Sequence, residues 1–148
     1  MTRRSPTPVR FSTDVAGRLA SFAASRPGLS LSAAANLLVD EGLRMAEHPG
    51  VAFRDGPTGR RAALAGGPDV WEVVRAVKSA RVAEPELAED EVLAVVVANT
   101  AVALRLVRTA VRYWASHPAE IDAEIDAADH AENLAEEAWR RERDLLAR

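Results

Sequence analysis

The chain has 148 residues, 48% of them hydrophobic and 28% charged, and a mass of 15.9 kDa. That is enough for one ordinary core or two small ones and too little for a large multidomain enzyme. There is no cysteine, and the three histidines (His48, His117, His130) are scattered, which excludes a disulfide framework, a thiol nucleophile and a zinc knuckle. No uncharged run approaches the ~20 residues that span a bilayer, and the opening "MTRRSPTPVRF" lacks the apolar centre of a secretory signal, so a cytoplasmic location is expected. The net charge of −3 hides an asymmetry: residues 1–61 carry nine Arg against five acids, net +4, while residues 62–148 carry ten basic and seventeen acidic side chains, net −7. Only the front of the chain suits a polyanion.

In chain order, "TPVRF" alternates Thr7, Val9 and Phe11 with Pro8 and Arg10, the period of a half-exposed strand. Ser12 or Thr13 caps a helix carrying Val15, Leu19, Phe22 and Ala23, which "RPGLS" stops. Ser30 or Ser32 starts a second helix with Ala33, Leu37, Leu38 and Met45 on its apolar side, ended by "HPG" at 48–50. "VAFRD" and "RRAALAG" flank "GPTG" and predict a hairpin over 51–65. Three helices follow within 69–115, the first led by Asp69, with the acidic "AEPELAEDE" as a bridge and Asn99 and Thr100 as the next break. In the third, Leu104, Val107, Ala110, Val111 and Trp114 share one side and Arg105, Arg108 and Arg112 the other, a solvated face expected to pair with the acids of the last helix. That last helix, 118–147, has Ser116 or His117 as its cap and Pro118 in its first turn. From Pro118 to Ala138 it holds eight acids and no Lys or Arg, with only a thin stripe of Ile121, Ile125, Leu134 and Trp139, the pattern of a projecting arm.

Strand, helix, glycine turn and helix within the first 48 residues cannot bury their own apolar faces, so a homodimer or higher even oligomer is expected. The run "TPVRFSTDVAGRLASFAASRPGLSLSAAANLLVDEGLRM" resembles the ribbon-helix-helix fold of the Arc, MetJ and CopG repressors. The resemblance implies a two-stranded ribbon in the major groove of double-stranded DNA, with Arg10 facing base edges, Ser30 and Ser32 anchoring the backbone, and Arg3 and Arg4 as a phosphate-seeking arm. Pro6 and Pro8 depart from the usual three polar side chains of such a ribbon, which leaves Arg10 as its reader.

Further on, "RTAVRYWASHPAEIDAEI", with "RRAALAGGPDVWEVV" before it, resembles a small helical domain of unknown function (family four-three-three) found in VapB-like antitoxins, matching it at Tyr113, Trp114, Pro118, Glu120, Ile121 and Asp122. The two resemblances together imply a mainly α chain. Residues 1–48 would form a ribbon-helix-helix dimer, and 49–148 an antitoxin-type domain with a β-hairpin, a helix-turn-helix-like set of helices and a long C-terminal helix. They imply a DNA-binding antitoxin that represses the promoter of its own gene and neutralises a PIN-like ribonuclease toxin, with Trp139 as apolar anchor and Arg140, Arg141 and Arg143 meeting the toxin's carboxylates. A stand-alone ribbon-helix-helix regulator and an interaction adaptor that does not bind DNA are the alternatives.

No catalytic constellation emerges, and neither a metal nor a cofactor is expected. Tyr113 and Trp114 read as packing, and Glu120 with Glu124, or Asp122 with Asp126, read as solvated acids one helical turn apart. His117 reads as a helix cap.

Overall fold

A computed structural model describes residues 6–57 and 59–147, which form six α-helices and one two-stranded antiparallel sheet. The chain is mainly α, as expected. Its packing divides into two units, one ending at Leu43 and the other beginning at Arg44. The sequence reading divides it after His48; the boundary in the structure lies inside a helix.

In the first unit, residues 6–12 have no regular secondary structure, so the strand expected over Thr7–Phe11 is not formed. A strand is completed by its ladder, and among the described residues no second strand lies beside this segment. Ser12 then caps α1 (Thr13–Ala24), its Oγ accepting a hydrogen bond from the Val15 amide at 3.4 Å. Gly28 takes the turn at φ +81°, a conformation that costs glycine nothing. Ser30, not Ser32, caps α2 (Leu31–Glu47), accepting from the Ala33 amide at 3.1 Å. Only Leu19, Ala23 and Ala34 of this unit form a buried apolar cluster, with Phe22 and Leu38 half-covered against it. The inward position of α2 is thus Ala34 rather than Ala33, and Met45 is exposed. Val9 (67% exposed), Val39 (55%), Phe11 and Val15 also meet solvent.

The second unit contains the main core. Gly50, at φ +100°, turns the chain out of α2 into β1 (Val51–Gly56), which pairs with β2 (Gly59–Leu64) from Val51↔Leu64 to Gly56↔Gly59. The hairpin buries Val51, Ala62, Ala63 and Leu64. α3 (Val70–Ala83) packs on α4 (Glu89–Thr100), α5 (Leu104–Ser116) and α6 (Pro118–Leu146). The acidic bridge ends earlier than its composition suggests: Glu89, Asp90 and Glu91 form the first turn of α4, where they face the positive end of the helix, and Glu91 accepts from the Ala88 amide at 2.8 Å. Asn99 and Thr100 are helical, and the break falls at Ala101, whose φ of +57° turns α4 into α5 at 111°.

The buried side of α5 is Val107, Ala110 and Tyr113, while Leu104 is exposed and Trp114 half-buried. α6 is anchored over its first two turns by Ile121 and Ile125. Ion pairs hold it to α3 as well, from Lys78 to Asp122 within those turns and from Arg75 to Asp129 and Glu132 beyond them, and the exposed Leu134, Trp139, Leu145 and Leu146 lie further along. Arg108 therefore does not pair with the acids of the last helix; it pairs with Glu89 and Asp90 of α4, which the 111° turn brings within 3.4 and 3.0 Å. No single helix is long and apolar enough to cross a membrane.

Candidate functional site

Of the residues assigned to DNA, Arg3 and Arg4 lie outside the described residues. Arg10 is exposed in the irregular segment before α1. Ser30 spends its hydroxyl on the cap of α2. Ser32 stands one residue inside the helix, its carbonyl accepting from the Asn36 side chain at 3.0 Å. The structure therefore brings Ser30 and Ser32 together at one helix N-terminus, where the first amides point outward with the positive end of the helix dipole. Elsewhere in this unit α1 and α2 leave an open apolar groove of about 350 Å³ lined by Phe11, Val15, Leu19, Phe22, Leu38 and Val39.

Of the residues assigned to a partner, all four lie on the exposed part of α6. The Arg143 guanidinium lies 4.9 Å from the centre of the Trp139 ring, which keeps the indole and one cation on a common face. Arg140 and Arg141 turn back to Glu136 and Glu137 one helical turn earlier. Such exposed pairs contribute about 0–1 kcal/mol each, so a strongly acidic surface displaces them at little cost.

A polar network in the second unit is what sequence reasoning missed. Arg44, near the end of α2, donates through Nη1 to Tyr113 Oη at 2.9 Å and to Glu120 Oε2 at 2.5 Å, and Tyr113 Oη donates to Glu120 Oε1 at 3.2 Å. The Tyr113 ring is fully buried, packed by His117 with ring centres 4.7 Å apart and by His48 at 5.2 Å. Burial, opposed by the Arg44 hydrogen bond, pushes the Tyr113 hydroxyl up to about 12, so it stays protonated and donates. Next to it, Asp69 is almost fully buried and accepts from Arg54 Nε and Nη2 (2.8 and 2.6 Å) and Trp71 Nε1 (3.3 Å), while Arg61 Nη2 lies 3.1 Å away. Between the two groups sits Glu124. Its Oε2 is buried without a hydrogen-bond partner, and burial together with the charge of Glu120 raises its carboxyl to about 7.

Three of the acids expected to be solvated, Glu120, Asp122 and Glu124, are thus engaged or covered, while Asp126 is exposed as expected. Glu120 and Glu124 belong to this network, and Asp122 accepts from Lys78 Nζ (2.6 Å) and Trp114 Nε1 (2.8 Å), which hold it below the usual carboxylate range. His117 occupies the N-cap position of α6 but makes no side-chain cap bond; its ring packs on Tyr113 instead. The one signal available beforehand was the spacing of Glu120 and Glu124, each one residue before the buried Ile121 and Ile125, which puts both carboxylates at the edge of the buried stripe. The network ties the end of α2 to the hairpin, α5 and α6, and among its buried polar atoms Arg44 Nε, Arg61 Nε, His117 Nε2 and Glu124 Oε2 make no hydrogen bond. Among the described residues no group of three metal-ligating side chains converges.

No family model matches the chain, and no curated protein or solved structure does either.

Proposed function

We propose that the chain is a dimeric DNA-binding antitoxin and repressor of the ribbon-helix-helix kind, built from a dimerising reader unit and a second unit that presents a partner-binding arm. The observation that carries this reading is the uncovered face of the first unit. Three buried side chains cannot hold two helices, whereas Val9, Phe11, Val15 and Val39 expose a surface that a second copy of the same segment would cover. Pairing with that copy also gives residues 7–11 the ladder they lack within one chain, which sets Arg10 on the outer side of a ribbon. Ser30 at the head of α2 supplies a phosphate anchor beside it.

The arm is the exposed end of α6. Trp139 serves as its anchor, and Arg140, Arg141 and Arg143 are its cations for the metal-binding carboxylates of a PIN-like ribonuclease toxin. A gel-shift titration against the DNA upstream of the gene tests the reader. Arg10→Ala lowers specific affinity by about 1–3 kcal/mol, whereas removing Arg3 and Arg4 weakens every sequence alike and flattens the salt dependence. Unchanged specific affinity in Arg10→Ala overturns the ribbon as reader.

A further inference from the structure

The second unit contains a cavity that none of the roles above uses. It has a volume of about 630 Å³, and its walls are Val74, Val77, Val92, Leu93, Val111 and the Trp114 ring, from α3, α4 and α5. The volume is that of a small-molecule pocket. Its mouth is cationic: Lys78, Arg81, Arg108 and Arg112 stand around it with a single acid, Glu89.

Three of those cations are already engaged. Lys78 pairs with Asp122, Arg108 divides itself between Glu89 and Asp90, and Arg81 donates to the carbonyls of Pro85 and Leu87. The Arg112 guanidinium has no hydrogen-bond or ion-pair partner among the described residues. Arg81 is satisfied only by neutral carbonyls, so its charge is uncompensated too. The rim thus carries net positive charge above an apolar interior. Along α3 the lining runs from Val74 to Val82, about 12 Å at about 1.5 Å per residue, the length of an extended alkyl chain of about ten carbons and only about two turns of a helix.

We propose that this cavity binds a small amphipathic anion, an alkyl carboxylate whose chain lies along Val77, Val92 and Val111 against Trp114 while its carboxylate is met by Arg112. Burying the chain removes the apolar walls from water, and a planar guanidinium with no competing acid is the natural partner of a carboxylate. A neutral chain of equal length gains only the first of these, and an alkyl cation meets repulsion.

Quenching by bromine tests this directly, because Trp114 lines the cavity. In the full chain carrying Trp71→Phe and Trp139→Phe, Trp114 is the sole indole. Titration with 11-bromoundecanoate gives saturable quenching that undecanoate reverses; 11-bromoundecanol binds about tenfold more weakly, and Arg112→Gln lowers acid affinity by about tenfold while leaving the alcohol unchanged. If the two-Phe chain fails to fold, calorimetry of the unaltered chain with undecanoate and undecanol, with and without Arg112→Gln, reads the same differences. Three results overturn the proposal: no saturable binding, equal affinity for acid and alcohol, or Arg112→Gln binding the acid as well as the unaltered chain does. So does a ligand-free Trp114 whose shielding from acrylamide rises with sedimenting mass, since a second copy of the chain then fills the cavity. None of these readouts involves DNA or a toxin, so the proposal fails or stands apart from the function proposed above.

Discussion

Replacing Glu124 by glutamine should stabilise the protein at alkaline pH and do nothing at acid pH. The carboxyl, ordinarily at 4.5, is raised to about 7 chiefly because it is buried, with Glu120 adding to the effect and Arg61 opposing it. The folded protein therefore binds this proton more tightly than the unfolded chain. Below 4.5 both states are protonated and the site is neutral to stability. Between 4.5 and about 7 the unfolded chain ionises first and the folded state loses ground, and above 7 the loss is constant. Taken in full, the displacement corresponds to about 3 kcal/mol at about 1.4 kcal/mol per pH unit. Because the side chain is only partly buried, solvent screening brings this to about 1–2 kcal/mol. Urea unfolding of both proteins at one fixed concentration, from pH 4.5 to 8.5, should thus show Glu124→Gln gaining about 1–2 kcal/mol at pH 8 with an unchanged slope, and no gain at pH 4.5. A gain of equal size at both ends would show that the amide makes new bonds and that ionisation is irrelevant. A loss at pH 8 would mean that Arg61 holds the carboxylate, and the reasoning would fall.

If the proposed dimer joins through the exposed face of the first unit, the thermal midpoint of the chain should rise with protein concentration, and Val39→Asp should remove that dependence and leave a monomer in sedimentation. Asp69→Asn should cost about 2–4 kcal/mol in urea unfolding, since the arginines gathered on a buried carboxylate lose its charge; a change below about 0.5 kcal/mol, the size of an ordinary surface substitution, would show that the half-exposed Arg54 is content in water. Truncation after Ala138 keeps the buried Ile121 and Ile125 and should leave the thermal midpoint and DNA affinity unchanged while abolishing co-purification with a toxin encoded beside the gene. Undiminished capture of that toxin would remove the arm from the proposed function.

Much of the fold is legible in the sequence because its punctuation is local. Ser12 and Ser30 cap, Gly28 and Gly50 turn, and "GPTG" closes the hairpin, each acting on residues within four positions of itself. Tyr113 shows where that legibility stops. A helical period assigns the inward side of α5 by hydrophobicity and favours Leu104 and Trp114, yet the tyrosine goes in because Arg44, 69 residues away, and Glu120 meet its hydroxyl. Nothing in a local pattern reports a partner at that distance. Arg108 misleads for a related reason: abundance points to the eight acids of α6, but the left-handed Ala101 folds α4 back and brings Glu89 and Asp90 closer. Glu124 looks like any exposed acid in a charged run, and only the packing of α6 against α3 and α5 makes its burial apparent.

The uncovered face of the first unit also bears on how the protein is made. Synthesis delivers the α1–α2 segment to the ribosome exit before the larger core that follows it, so the unit with few buried side chains of its own appears ahead of the one with many. In the proposed dimer, Val9, Phe11, Val15 and Val39 are a sticky surface on the nascent chain until a second copy covers them. Neighbouring ribosomes on one message hold such segments close together, which favours pairing between sister chains during translation. Mixed dimers of the proposed kind with a similar chain made elsewhere in the cell would be correspondingly disfavoured.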